Sequence, residues 1–466
     1  MRFKTILRAF LVVLLIVVAV AVFYGWRAFP IATGFGAKAM CSAIYVSGRN
    51  ESDIKAVDLN FFPLKYATLE VNSQDSSVTC SLFGLAKKKA IFRSGVGATL
   101  VNDTSEANLR KQIFNIPGKP SLLTDTISWP SGDKITDSFP ASVDSLSLAA
   151  AIDVIFRNPD TPQTNHTRAL IVLYNGRIIA ERYAPGFTKQ TKLPGWSMAK
   201  SVTSALTGLV VEQGKLNISE PASVPEWSES SDPRHAIKLV DILQQSSGLD
   251  FSEQYNVPAD ANRMLFMESN AAAFTASHKA DRKPGTHFRY SSGNTNLISR
   301  ILRDKLGDDA YYALPYTGLF YKIGMYNTIL EPDASGNFVG SSFCFATARD
   351  WARFGLLYLN NGNWNGEQVL NADWIKQSIA PAPAAEMGEY GFQWWLNAGQ
   401  KNHPENRTFP ELPADMYWAD GFEGQNVFVI PSKKLVVVRL GLTRTKFWGE
   451  HEFLKSLIRS VDKVAL

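Results

Sequence analysis

The sequence predicts an α/β (α+β) fold: an antiparallel sheet flanked by helices, interrupted by a helical insert, behind one N-terminal transmembrane helix. Strand-rich runs with hairpin signals stand at both ends of the C-terminal two thirds. Helical periodicity dominates between them, so the sheet is built from both ends of that region. An uncharged apolar stretch opens the chain. At 466 residues the protein is too long for one hydrophobic core, so more than one domain is expected. Apolar residues make up 45% and charged residues 20%, which excludes a largely disordered, collagenous or coiled-coil chain.

Ala9 to Trp26 holds eighteen residues without a charge. As an α-helix it is roughly 27 Å long, enough to cross a hydrocarbon core. Tyr24 and Trp26 sit at an interfacial belt, and Arg2, Lys4 and Arg8 place residues 1–8 in the cytoplasm. Everything after residue 27 then lies outside it, in the periplasm or beyond a bacterial-type inner membrane. Ala19-Val20-Ala21 also resembles a signal-peptide cleavage site, but the apolar run continues past it, which favours an uncleaved single-pass anchor.

Residues 27–140 read as an accessory segment and linker. Short apolar runs alternate with Gly, Ser and Asn to about residue 110, and Pro117 to Pro140 is rich in Pro, Ser, Thr, Asp and Gly. Cys41 and Cys80 can pair in an oxidising compartment, while Cys344, between Phe343 and Phe345, reads as a buried inert thiol. The main domain, 141–466, opens with a helical pattern over Leu146–Phe156. Ala169–Tyr183 follows, two strands joined by Asn175-Gly176. Near the end, Asn426–Ile430 and Leu435–Leu440 form a second hairpin, and Glu450–Val464 closes the chain as an amphipathic helix.

The net charge is +5, and four positive residues, Arg2, Lys4, Arg8 and Arg27, flank the apolar stretch. The rest is close to neutral, which argues against a nucleic-acid partner. Lys87-Lys88-Lys89 reads as a solvated run. The six His residues show no zinc-ligand spacing, and no metal or cofactor is expected.

Four stretches match S-x-x-K, beginning at Ser52, Ser131, Ser197 and Ser460. A nucleophilic serine needs its lysine about one helical turn away on the same face. Only Ser197–Lys200 is followed by a long helical pattern with a buried stripe, Val202, Leu206, Leu209 and Val210. Burial there draws a lysine down from its free pKa near ~10.4, towards a neutral amine that can accept the serine proton. Taken alone, the motif fits an exposed lysine and an N-capping serine better.

Further along stands Pro284–Asn294 (PGTHFRYSSGN), running into a helix over Thr295–Leu306. With Ser197–Lys200, and with Leu243–Asp250 (LQQSSGLD), Ile323–Thr328 (IGMYNT), Ala346–Gly355 (ATARDWARFG) and Tyr390–Trp395 (YGFQWW), the chain resembles the serine β-lactamase-related superfamily. It is most similar to the branch of class C β-lactamases, D-alanyl-D-alanine carboxypeptidases, esterases and nylon-oligomer hydrolases, over about residues 145–466. The resemblance implies the β-lactamase/transpeptidase fold, Ser197 as nucleophile, and Lys200 and Tyr290 sharing general base and acid work. It also implies an oxyanion hole from the Ser197 and Gln425 N–H groups, with Gly424 allowing close backbone approach.

Two motifs depart from the family pattern. Tyr-x-Asn reads Tyr290-Ser291-Ser292, so a hydroxyl stands for the substrate-orienting amide. The Lys- or His-led triplet maps onto Phe422-Glu423-Gly424, and Phe422 cannot pair with a substrate carboxylate. With Trp394, Trp395, Tyr417 and Trp418, Phe422 suits an apolar acyl pocket, and each of these aromatics singly suits core packing as well. The expectation is a membrane-anchored serine hydrolase acting on a small-molecule or short-peptide amide or ester. The alternatives are a β-lactamase or penicillin-binding D,D-peptidase, or an inactive membrane-tethered scaffold.

Overall fold

The computed structural model describes residues 2–157, 165–445 and 447–462, which divide into two compact units. The first comprises the chain up to Lys111 with Ser252–Asn270 and Asp333–Ser335. Its helix α1, Arg2–Tyr45, is the one described helix long and apolar enough to cross a membrane, with mean hydropathy 3.1 over a window that is wholly exposed. The C-terminal part of α1 lies on an antiparallel sheet of β1 (Ala67–Asn72), β2 (Ser77–Leu82), β3 (Leu85–Arg93) and β4 (Gly97–Leu100), in that order.

The continuation of α1 from Trp26 to Tyr45 buries Ala37, Met40 and Cys41 at helical spacing. Its packing depends on small residues. A Cβ on Gly34 would meet the Phe266 carbonyl at 2.4 Å, and one on Gly36 would meet Cys80 Sγ at 2.8 Å. Close approach replaces side-chain bulk as the source of contact. Cys41, Cys80 and Cys344 are buried thiols, and the described residues hold no disulfide. The Cys41–Cys80 bond that an oxidising compartment permits is thus not formed here.

The second unit holds the main sheet. Its elements are α2 (Ser145–Phe156), β5 (Thr167–Tyr174), β6 (Arg177–Tyr183), α3 (Ala199–Glu212), α4 (Ser292–Leu306) and α5 (Ala348–Leu359). They are followed by β7 (Trp395–Leu396), β8 (Tyr417–Gly421), β9 (Gln425–Ile430), β10 (Leu435–Gly441) and α6 (Glu450–Val461). The strands lie in the order β7-β8-β9-β10-β5-β6, every neighbour antiparallel. The sheet therefore joins strands from both ends of this region, with the helical insert between β6 and β7. At the first hairpin Asn175 and Gly176 both take positive φ, 51° and 76°, the geometry that favours Asn-Gly.

Both sheet faces are covered, which explains why Ala169–Leu173 of β5 and Leu435–Val438 of β10 read as unbroken apolar runs. Leu170, Val172 and Val437 pack with Leu148 and Ile152 of α2 and Leu457 of α6. Ile171, Leu173, Val436 and Val438 face the other way, into a core shared with α3, α4 and α5. The Pro- and Ser-rich stretch before α2 is fastened to this unit. Arg353 donates to the Pro130 and Gly132 carbonyls (2.8 and 2.7 Å) and to Asp133 Oδ1 (2.8 Å), and Arg349 donates to the Asp133 carbonyl at 2.7 Å. Composition marks its turns but says nothing of the arginines that hold them.

Candidate active site

Ser197 stands in one 3-10 turn, Trp196–Met198, that leads into α3. The short strand Leu193–Pro194 brings the chain there by pairing with Cys344–Ala346, and the Gly195 N–H donates to the Cys344 carbonyl at 2.7 Å. A Cβ on Gly195 would lie 2.3 Å from Trp351 Cζ2, so only glycine fits. Trp196 then takes φ +48°, a left-handed conformation that costs a non-glycine residue about 1–2 kcal/mol. The chain turns sharply just before Ser197, and this leaves that serine half-buried with its hydroxyl beside the first turn of α3.

One turn on, Lys200 is 1% exposed. Its Nζ lies 2.9 Å from Ser197 Oγ, 2.9 Å from Ser292 Oγ and 3.1 Å from the Ser341 carbonyl. It also lies 4.8 Å from the centre of the Tyr290 ring. Two sequence-distant segments, residues 290–292 and Ser341, therefore converge on one amine beside Ser197. Tyr290 is half-buried, stacked on Trp395 (centroids 5.3 Å) and edge-on to Tyr390 (5.8 Å).

Ser292, expected to face the substrate, is wholly buried and contacts Lys200. It opens α4, where Ser291 is the N-cap, and that places its hydroxyl beneath the amine. Asn294 turns away: its side chain accepts from Ser247 Oγ (2.8 Å) and donates to Gln245 Oε1 (2.8 Å). Trp394, expected in the pocket, is fully buried against Phe354, Tyr358 and Tyr417. Residues alternate across a strand, so its neighbour Trp395 meets Tyr290 instead.

Phe422 is 42% exposed and packs edge-on against Trp196 at 5.7 Å, and Trp196 meets Phe343 at 6.1 Å. Trp196 and Phe422 thus put apolar surface at the Ser197 turn, with Phe343 buried against Trp196. Gly424, at φ +78°, is glycine for a different reason than expected. A Cβ there would meet Arg439 Nη1 at 2.7 Å and Trp448 at 2.9 Å. Arg439, itself fully buried, donates to the Gly424 and Glu423 carbonyls at 2.7 and 3.2 Å and pins this turn from below.

Gln425 is the register partner of Gly421, whose carbonyl also accepts from the Gly424 N–H at 3.1 Å. Gly421 and Gln425 therefore point their backbone groups at each other, and the Gln425 N–H faces into the hairpin. Alternation turns the Phe422 N–H to the opposite edge. Gly421 itself packs against the Ser197 turn, since a Cβ on it would lie 2.2 Å from the Gly195 carbonyl.

Sequence reasoning missed Asp420, although a carboxylate inside an apolar strand was a visible signal. Its Oδ1 accepts from Asn426 Nδ2 at 2.7 Å. Burial pushes its pKa up to about 7, against the Asn426 hydrogen bond, which lowers it, and Glu450 raises it further. Ser341 was also missed, and had no signal, because it acts through its backbone carbonyl. Burial raises the Cys344 thiol well above its usual range, which keeps it inert. Among the described residues, one cluster has ligand spacing for a metal: Glu411, His451 and Glu452. It includes none of these site residues, and Glu411 is already paired with Lys455 at 2.7 Å.

The sequence matches the Beta-lactamase family over residues 160–459, a span that takes in Ser197, Lys200, Tyr290 and the Phe422 turn. The chain belongs to the beta-lactamase family. It is 23% identical over 328 residues to the 6-aminohexanoate-dimer hydrolase of Paenarthrobacter ureafaciens, covering 64% of this chain and 79% of that one. Its fold is similar to that of EstCE1, a hydrolase with promiscuous acyltransferase activity (TM-score 0.55, 16% identity, 68% of this chain and 99% of that one). It is also similar to a penicillin-binding protein homolog from Caulobacter crescentus (TM-score 0.51, 15% identity, 71% and 99%). The family and these hydrolase relatives make this beta-lactamase family member a serine hydrolase.

Proposed function

We propose that the protein is a membrane-anchored hydrolase that cleaves a neutral ester or amide through an acyl-Ser197 intermediate. The observation that carries the reading is Lys200 Nζ, buried and 2.9 Å from Ser197 Oγ. As a neutral amine, Lys200 donates its two protons to the Ser341 carbonyl and Ser292 Oγ, and its lone pair accepts the Ser197 hydroxyl proton. Ser197 Oγ attacks the substrate carbonyl carbon as that proton moves to Nζ. The resulting oxyanion is held by the Ser197 and Phe422 N–H groups. When the tetrahedral adduct collapses, the leaving alcohol or amine takes the proton, relayed through Tyr290. Water then attacks the acyl carbon and passes a proton to the same pair; the second adduct collapses by breaking the acyl–Oγ bond, which returns that proton to Ser197 Oγ and releases the acid.

Trp196, Phe343 and Phe422 supply an apolar wall where relatives with a cation would hold a substrate carboxylate. This favours uncharged acyl groups over penicillins. The exposed apolar part of α1 supports a single-pass anchor, with the positive N-terminus inside and the hydrolase in the periplasm or beyond.

The test uses the full-length protein in detergent beside Ser197→Ala. The expected result is p-nitrophenyl ester turnover, and a fluorophosphonate adduct by intact mass, both lost in the variant, with no penicilloyl adduct. A penicilloyl adduct on Ser197 moves the protein to the penicillin-recognising reading. A folded wild type with neither turnover nor adduct leaves only a scaffold.

A further inference from the structure

We propose that the tip of the β2–β3 hairpin, with the chain just before β1, inserts into the anionic headgroup layer of the same bilayer that α1 crosses. This rests on the anchor reading above and adds a second, independent membrane contact to the first unit.

The hairpin runs along α1 in a fixed direction. At one end Tyr45 Oη donates to the Asn72 carbonyl at 3.1 Å, and its ring stacks on Phe92 at 5.5 Å. At the other end Thr33 Oγ1 donates to the Ala86 carbonyl at 2.5 Å, and Phe29 meets Phe83 at 6.2 Å. Phe29 lies only three residues, about 4.5 Å of helix rise, beyond Trp26, where the apolar stretch ends. The hairpin tip therefore sits at the point where α1 leaves the bilayer. Ala67 pairs with Leu82, so Tyr66 stands at the same end.

The surface there is apolar and aromatic. Phe83 is 69% exposed, Leu85 62%, Tyr66 54% and Phe62 75%. The turn chemistry adds a separate argument. Phe83 and Gly84 form a two-residue loop with φ +53° and +74°, and such a loop favours Asn-Gly. An exposed phenylalanine in a left-handed conformation is held there against its local preference. Nothing in hairpin formation asks for that ring, whereas a bilayer interface does. Exposed Arg27, Lys65 and Lys87 flank the patch, and Lys65 Nζ lies 5.0 Å from the Tyr66 ring centre. Aromatic side chains interleaved with cations are the composition that settles among anionic headgroups.

The experiment places an environment-sensitive fluorophore on full-length protein in phosphatidylcholine–phosphatidylglycerol vesicles. Three single substitutions carry it: Phe83→Cys at the tip, Ile16→Cys in the span, and Gln74→Cys in the exposed turn at the far end of the hairpin. The native cysteines are buried and stay unlabelled. The expected result is that the Phe83 label is quenched by headgroup-depth spin-labelled lipid and is several-fold less accessible to iodide than the Gln74 label. An immersed Ile16 label with a Phe83 label as open to iodide as Gln74 overturns the proposal and leaves the anchor standing. An Ile16 label open to iodide overturns the anchor reading itself, and the proposal with it. Iodide protection at Phe83 without lipid quenching means that protein covers the patch, and this also overturns the proposal. Phe83→Asn, which suits the turn, keeps the fold and is expected to weaken binding of the first unit to the vesicle surface without changing ester turnover.

Discussion

Lys200 is where the site can be tested one atom at a time. Lys200→Met keeps the length and the apolar contacts and removes the amine. It is expected to lower ester kcat/KM by about 10²–10⁴ with little change in melting temperature, read by steady-state kinetics and thermal unfolding. Ser292→Ala keeps the 2.9 Å contact of Ser197 with Lys200 and removes one acceptor of the amine. Because Ser292 is buried, the loss, about tenfold, should fall on kcat and leave KM unchanged. A rise in KM would return Ser292 to the substrate-facing role that its place in the motif suggests.

Asp420 adds a pH signature. Its folded pKa of about 7 stands above the ordinary 3.8, so between those values the folded state holds a proton that the unfolded chain has released. Its contribution favours folding most below the lower value and is lost as pH rises through about 7. Asp420→Asn should therefore flatten the fall in urea midpoint across this window and gain most at neutral pH. An unchanged slope would show that the carboxylate stays ionised in the folded protein. At this scale the contact of Ser197 with Lys200 was legible because S-x-x-K spacing puts the two about one helical turn apart, whereas Tyr290 entered only through the family resemblance. Trp394 and Trp395 were not distinguishable, since which of two adjacent strand residues faces the site depends on the pairing of Trp395 with Trp418.

Among the elements, the β8–β9 turn is where the proposed oxyanion donor, the Phe422 N–H, can be tested. Glu423 takes φ +64° at the third position of a four-residue turn closed by the Gly424 N–H on the Gly421 carbonyl. That is type II geometry, in which proline is favoured at the second position, here Phe422. Phe422→Pro should fold and lose the N–H, cutting kcat by about 10²–10³, while Phe422→Ala keeps the N–H and loses only apolar contact. Equal activity in the two variants would hand the oxyanion back to Gln425. The hairpins themselves were readable because Asn175-Gly176 and the Pro431–Lys434 turn punctuate the runs on either side. The length of α1 was not, because Gly34 and Gly36 read as breaks in the chain although they pack by closeness inside the helix.

Across the whole molecule, composition separated an apolar leader from a globular body but could not see which chain segments belong together. The first unit takes in Ser252–Asn270, far along the chain from its sheet, and position 34 admits only glycine because the Phe266 carbonyl lies against it. The same continuity bears on the fate of the N-terminus. Ala19, Val20 and Ala21 lie inside α1, with Thr33, Gly36 and Tyr45 of the same helix tied to the first unit's sheet. Cleavage there would cut a helix whose later turns are fixed, and would expose Phe23 and Trp26 to water on a new terminus. The uncleaved chain is therefore expected: intact mass of protein purified from membranes should include residues 1–21, and alkaline carbonate should not release it. A mass beginning at Val22 with the hydrolase in the soluble fraction would make the leader a signal peptide. The exposed rings around Phe83 would then need a partner other than the bilayer.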